Sequence, residues 1–176
     1  MGEEVFRSGF IGLFGRPNVG KSSLVNALVG RKVAIVSPKP QTTRRRVQAV
    51  LTLPTAQVVF LDTPGIQRAR DLLGRALVRA AREAVEGIDA AFFVVDAVRA
   101  RGEEDRAAAR LLADAPVPVL LVVNKIDLVR GREEETVARV AAELGFAGPQ
   151  LATSALTGEG IEALREWALG VLKPGP

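Results

Sequence analysis

The chain holds 176 residues, 48% of them hydrophobic and 25% charged, with 24 Lys+Arg against 20 Asp+Glu for a net charge of +4. That is the size of one domain with ample material for a core, and the apolar content argues against a disordered chain. Cysteine and histidine are both absent, which excludes disulfides, thiolate metal sites and imidazole catalysis.

The acidic start, Met1-Gly2-Glu3-Glu4, is unlike the basic head of a signal peptide, and no apolar run nears the ~20 residues of a membrane span. A reducing cytoplasm is the expected compartment. The mild cationic excess suits a polyanionic partner without naming one.

The first informative stretch is Gly15-Arg16-Pro17-Asn18-Val19-Gly20-Lys21-Ser22, which fits the phosphate-binding pattern G-x-x-x-x-G-K-[ST]. An apolar run at 10–14 enters it as a buried strand, and the run 24–29 leaves it as a helix. Gly15 and Gly20 let the backbone curl so that successive N–H groups meet one anion, at the positive end of that helix. Lys21 supplies a point charge for the outer phosphates, and Ser22, followed by Ser23, offers a hydroxyl to Mg²⁺.

Ser37-Pro38-Lys39-Pro40-Gln41-Thr42-Thr43-Arg44-Arg45-Arg46 comes next. Two prolines, a hydroxyl pair and no apolar period suit a loop that orders around a γ-phosphate and its metal. Thr43 is the favoured metal ligand, with Thr42 second. The arginines suit RNA phosphate or simply a solvated basic loop.

Strand-like runs follow at 47–53, 57–61, 90–95, 117–123 and 150–152, several of them apolar on both faces as central parallel strands are. Helical stripes intervene: Leu73, Leu77, Ala80, Ala81 and Ala84; Val137, Val140, Ala141 and Leu144; Ile161, Leu164, Ala168 and Val171, with Trp167 at the stripe edge as packing. The alternation predicts an α/β fold, a mostly parallel sheet with right-handed crossovers, helices on both faces and ligands at the carboxyl ends of the strands. Residues 1–172 are expected to form one domain. Lys173-Pro174-Gly175-Pro176 reads as the start of a connection to a further domain.

Three strand ends carry chemistry. Asp62-Thr63-Pro64-Gly65 places an acid where it can hold Mg²⁺ opposite the phosphate loop, and Gly65 lets a backbone N–H approach the terminal phosphate. Asn124-Lys125-Ile126-Asp127 places a carboxylate to accept from guanine N1 and N2, a donor pair that adenine lacks. Asn124 orients this group, and the Lys125 stem lies along the base. Ser154-Ala155-Leu156 adds an N–H at Ala155 for guanine O6, with Ser154 fixing the loop. An ATPase or small-molecule kinase is disfavoured by residues 124–127.

With these residues placed, the chain resembles the translation-factor-related GTPases, and in particular the bacterial Era family. Its five nucleotide motifs fall at 15–22, 41–45, 62–65, 124–127 and 154–156. The Lys39-Pro40-Gln41-Thr42-Thr43-Arg44 signature separates that family from paralogues that carry Asp where Arg45 stands here. The resemblance implies a P-loop NTPase of the Ras-like G-domain type, GTP/GDP and Mg²⁺ as ligands, and Ser22, Thr43 and Asp62 around the metal. It implies catalysis through Lys21, Thr43 and Gly65, all electrostatic. Ile66 stands where Ras-type enzymes place a water-orienting Gln, and Gln67 is one residue late, so slow intrinsic hydrolysis is expected. A nucleotide-gated binding module with negligible hydrolysis is the alternative.

The resemblance further implies a role in small ribosomal subunit assembly, with rRNA bound mainly through a KH domain that would follow this chain. A cytoplasmic location is implied, with peripheral contact at the inner face of the cell membrane left open. In some related GTPases the residue matching Asn18 helps bind K⁺ beside the phosphates, which makes K⁺ near Asn18 a further expectation; the other reading is that Asn18 shapes the loop.

Overall fold

Each apolar run becomes a strand of one sheet in the computed structural model, which describes residues 5–30, 46–63, 75–99 and 101–175. The strands are β1 (Arg7–Phe14), β2 (Arg46–Leu53), β3 (Ala56–Asp62), β4 (Ala90–Asp96), β5 (Val119–Asn124), β6 (Gln150–Ala152) and β7 (Lys173–Pro174). The order across the sheet is β2-β3-β1-β4-β5-β6, with β7 on β1. Pairings are parallel except β2 with β3 and β7 with β1. The α/β architecture with a mostly parallel sheet is therefore as expected.

Strand limits differ from the apolar runs where the backbone has other business. β1 begins at Arg7 because its polar half still ladders with β3, from Arg7 opposite Ala56 onward. β5 begins only at Val119: Pro118 has no N–H to pair, and its carbonyl accepts from Ala91 N–H at 2.9 Å. Lys173 and Pro174, in the run expected as the start of a connection, form β7. Lys173 lies opposite Ser8, and Gly175 N–H donates to Phe6 O at 2.8 Å.

Five helices among the described residues cover the faces: α1 (Lys21–Val29), α2 (Arg75–Ala84), α3 (Glu103–Ala113), α4 (Glu133–Leu144) and α5 (Ile161–Gly170). β4 and β5 are buried along their whole length, so their alternate residues feed two cores. Phe92 packs with Ile11, Leu24, Leu28, Phe60 and Leu164 on the α1/α5 side. Phe93 packs with Phe14, Leu112, Val123 and Val140 on the α3/α4 side. Each buried phenylalanine stabilises the fold by about 1.5–3 kcal/mol. Trp167 is packing, as expected, with its ring centroid 5.8 Å from that of Phe92.

Helix α3 is the element that periodicity did not suggest. Its buried residues are Asp105, Ala107, Ala108, Ala109, Leu111 and Leu112, and the alanines let it approach closely but give little apolar contrast in sequence. A short 3₁₀ turn, Ile126–Val129, follows β5. No helix among the described residues is long and apolar enough to cross a membrane.

The parallel strands β1, β3, β4, β5 and β6 all end on one edge of the sheet, at Phe14, Asp62, Asp96, Asn124 and Ala152. Every chemistry-bearing motif within the described residues follows one of these ends.

Candidate functional site

The phosphate-binding loop joins β1 to α1 and has positive φ at Gly15 (143°), Asn18 (71°) and Gly20 (94°). Gly15 has no alternative, since a Cβ there would lie 2.4 Å from the Val94 carbonyl oxygen. Side chains hold three of the loop's carbonyls. Lys21 Nζ donates to Gly15 O at 2.6 Å, Lys125 Nζ to Asn18 O at 3.0 Å and Asn124 Nδ2 to Val19 O at 3.0 Å. With those carbonyls held, the loop can turn N–H groups toward an anion at the start of α1.

Burial holds the Lys21 ammonium below the ordinary lysine range, and the Asp62 carboxylate, 4.0 Å away, opposes that shift. Ser22 is exposed, and its Oγ accepts from Gln48 Nε2 at 3.1 Å. Lys21, Ser22 and Asp62 therefore meet at one mouth, as the motifs require. No group of three or more acidic residues suited to a metal occurs among the described residues. One carboxylate and one hydroxyl beside phosphate oxygens is nevertheless a donor set that fits Mg²⁺, which usually keeps several waters and substrate oxygens. Thr63 Oγ1 donates to Leu13 O at 2.5 Å, which commits its side chain to tying β3 to β1.

The far side of the mouth is built by the turns after β4, β5 and β6. Asn124 is 2% exposed and Thr153 is wholly buried. Thr153 Oγ1 donates to Asn124 Oδ1 at 3.1 Å, which settles which end of the amide faces Val19. Lys125, at φ 66°, lies between Asn18 O and Asp96 Oδ2, each 3.0 Å from Nζ. Asp127 sits in the 3₁₀ turn, where Ser154 Oγ donates to its Oδ1 at 2.6 Å. Ala155 is half-buried and Leu156 is 85% exposed at the same edge.

Asp96 is a hub. Burial alone would raise its pKa, but N–H groups of Arg99 and Val98 and the Lys125 ammonium outweigh that and hold the carboxyl below its usual range. Arg101 Nη1 donates to the Asp96 carbonyl at 2.9 Å, and its Nε donates to Glu143 Oε2 at 2.7 Å. Arg16 is committed to α3, its Nη1 donating to Asp105 Oδ2 at 3.0 Å.

The structure thus brings together Gly15, Val19, Gly20, Lys21, Ser22 and Asp62 on one side, and Asn124, Lys125, Asp127, Ser154 and Ala155 on the other. Exposed Pro17 and Asn18 cap the loop between them, and Ser23 lies exposed on the first turn of α1. Thr42, Thr43, Pro64, Gly65, Ile66 and Gln67 lie outside the described residues. Sequence reasoning missed Gln48, Asp96, Asp105 and Thr153. Asp96 carried a usable signal, since like Asp62 it ends an apolar strand; Thr153 directly precedes the Ser154 motif.

The family model described as 50S ribosome-binding GTPase matches residues 10–125. The curated GTPase Era of Geotalea uraniireducens is 44% identical over 178 residues, covering 100% of this chain and 59% of that protein. Among solved structures, Aquifex aeolicus Era bound to GDP and AlF₄⁻ superposes with a TM-score of 0.72 at 34% identity, covering 97% of this chain and 59% of that one. Era in complex with MgGDPNP and nucleotides 1506–1542 of 16S ribosomal RNA gives 0.71 at 34% identity, with the same coverages of 97% and 59%. The chain spans less than two thirds of these relatives' own length. It is similar to Era throughout its own, and it belongs to the 50S ribosome-binding GTPase family.

Proposed function

We propose that this chain binds guanine nucleotide with Mg²⁺ and hydrolyses GTP to GDP and phosphate, as a switch used in small ribosomal subunit assembly. The carrying observation is the Ser154–Asp127 hydrogen bond of 2.6 Å. It orients one carboxylate at the same mouth as the phosphate loop, and a carboxylate accepts from guanine where adenine would leave it unmatched.

In this reading Gly15 to Ser23 cradle the β- and γ-phosphates, and Lys21 neutralises their charge. Ser22, Asp62 and Thr43 would hold Mg²⁺, which when bound would supply charge stabilisation at the transferring phosphoryl group. Thr63, Pro64, Gly65 and Ile66 would contact the nucleotide, Gly65 offering its backbone N–H to the γ-phosphate. Ile66 cannot hydrogen-bond an attacking water, so intrinsic hydrolysis is slow. In this reading K⁺ bound beside Asn18 and the phosphates would make turnover faster in KCl than in NaCl.

The relative solved with an rRNA fragment supports RNA of the small subunit as the partner. The relatives are longer than this chain, and we assign most RNA contact to a KH domain in the part beyond the match. The excess of four cations would also favour an anionic lipid surface, and sedimentation with and without anionic vesicles tests such peripheral contact.

Calorimetry of GDP and of ADP in magnesium buffer tests the nucleotide reading. Heat with GDP and none with ADP is expected, and no heat with GDP overturns it. Single-turnover GTP hydrolysis, alone and with small ribosomal subunits, then separates a slow enzyme from a binding module that does not hydrolyse. Measured in KCl and in NaCl, the same rates decide the K⁺ proposal, which equal rates would end.

A further inference from the structure

The phosphate-binding loop carries one side chain that its phosphate chemistry does not use. Arg16 Nη1 reaches Asp105 Oδ2 at 3.0 Å, and the same oxygen accepts Gly102 N–H at 2.9 Å. A single carboxylate oxygen therefore caps α3 and holds the loop. Asp105 is only 5% exposed, unusual for an acid unless it is paired, and Glu104 adds a second, looser carboxylate 4.0 Å from Arg16 Nε. Arg16, Val19, Asp96 and Asp105 border one small recess between the loop and α3. Arg16 crosses this recess through its contacts to Asp105 and, more loosely, Glu104.

We propose that Asp105 is a positioning residue for the phosphate-binding loop, acting through Arg16. Capping α3 needs only the Gly102 bond, which a solvated Asp at the third helical position would make equally well. Burying that Asp against a guanidinium from 89 positions away costs desolvation that a cap alone would not repay. What the pair adds is a fixed point at the second residue of the loop, opposite the Lys125 and Asn124 bonds that fix Asn18 and Val19. Held at both ends, the loop is pre-shaped for phosphate, and affinity gains what would otherwise be lost in ordering it on binding.

This inference rests on the guanine-nucleotide reading above, and its test keeps the two apart. GDP affinity is measured by calorimetry on this chain and on Arg16→Gln, Asp105→Asn, the double variant, Arg16→Lys and Glu103→Gln. Arg16→Gln leaves the α3 cap intact, and Asp105→Asn keeps an acceptor for Gly102. Each is expected to bind GDP about tenfold more weakly, and the double variant no more weakly than the worse single one. Arg16→Lys keeps the charge and should recover part of the loss. Glu103→Gln, which alters the same helix start without touching Arg16, should stay within about twofold of the parent. A purely structural role would lower melting temperature and leave GDP affinity alone. Single variants that bind within about twofold of the parent, or losses that multiply in the double variant, would overturn the proposal. Absence of heat in the parent itself would instead overturn the nucleotide reading.

Discussion

Ser154 Oγ donates to Asp127 Oδ1 at 2.6 Å and accepts from Thr157 N–H at 3.1 Å. The hydroxyl is thus held from behind by its own turn while it aims the carboxylate. A hydrogen bond to a charged group contributes roughly 1.5–3 kcal/mol, and part of that is recovered by water at a half-exposed acid. Ser154→Ala should weaken GDP binding about tenfold. Asp127→Asn should weaken it about a hundredfold or more and shift preference toward xanthosine diphosphate, whose base offers a carbonyl where guanine has N2. Competition against a fluorescent guanine nucleotide checks both, and an Asp127→Asn variant with unchanged GDP affinity would remove Asp127 from the base site.

Lys21 behaves as a lysine kept partly out of water. Its folded pKa lies below the ordinary 10.5, burial being the main cause and Asp62 the opposing one. Such a group binds fewer protons folded than unfolded, so nucleotide-free stability rises as pH climbs from the folded value toward 10.5. Lys21→Met keeps the reach of the chain and removes the charge. It should be at least as stable as the parent at pH 7, should lack that alkaline rise, and should lose GTP hydrolysis. Urea midpoints between pH 7 and 10 test the first two, and a variant less stable than its parent at every pH contradicts the argument.

For Asp96 the sign is opposite. Its carboxyl is held below the usual range, so its contribution is complete above the unfolded value of 3.8 and disappears as pH falls through the folded one. Asp96→Asn keeps an acceptor for the Val98 and Arg99 N–H groups but turns an amide toward Lys125. A loss of about 1–2 kcal/mol at pH 7 is expected, shrinking as the pH drops below 3.8. Because Lys125 also holds Asn18, GDP affinity should fall with it. Melts from pH 7 to 2.5 decide the case; a penalty that grows in acid would be the wrong sign.

The parts that could be read along the chain are those whose chemistry is contiguous. Residues 15–22 and 124–127 carry their glycines, lysines and carboxylate within eight and four positions, and the doubly apolar runs at 90–95 and 119–123 announce central strands. The parts that could not be read act through distance. Asn124 meets Val19 across 105 positions and Arg16 meets Asp105 across 89, and no spacing rule links them until the sheet sets β1, β4 and β5 side by side. Thr153 went unread because only burial against Asn124 gives its hydroxyl a purpose. Helix α3 escaped because alanines that pack closely look, in sequence, like residues that pack nowhere. The pairing of 173–174 was hidden for a related reason: Pro and Gly mark turns, yet a single antiparallel step on β1 needs only two residues.

Gly20 and Gly30 flank α1, both at positive φ, 94° and 82°, and they separate backbone strain from steric fit. A Cβ on Gly30 meets nothing within 4 Å among the described residues, whereas one on Gly20 would lie 2.5 Å from Asn124 Nδ2. Gly30→Ala should therefore cost only the backbone strain of a non-glycine residue at φ 82° and ψ −153°, about 1–3 kcal/mol, seen as a lower melting temperature with GDP affinity unchanged. Gly20→Ala adds a collision with the side chain that clamps Val19. Asn124 is held from its other end by buried Thr153, so it has nowhere to retreat, and the bond to Val19 O must break. That variant should lose a similar amount of stability and, in addition, bind GDP at least about tenfold more weakly. Equal GDP affinity in the two alanine variants would mean that the Asn124–Val19 bond does not shape the phosphate loop.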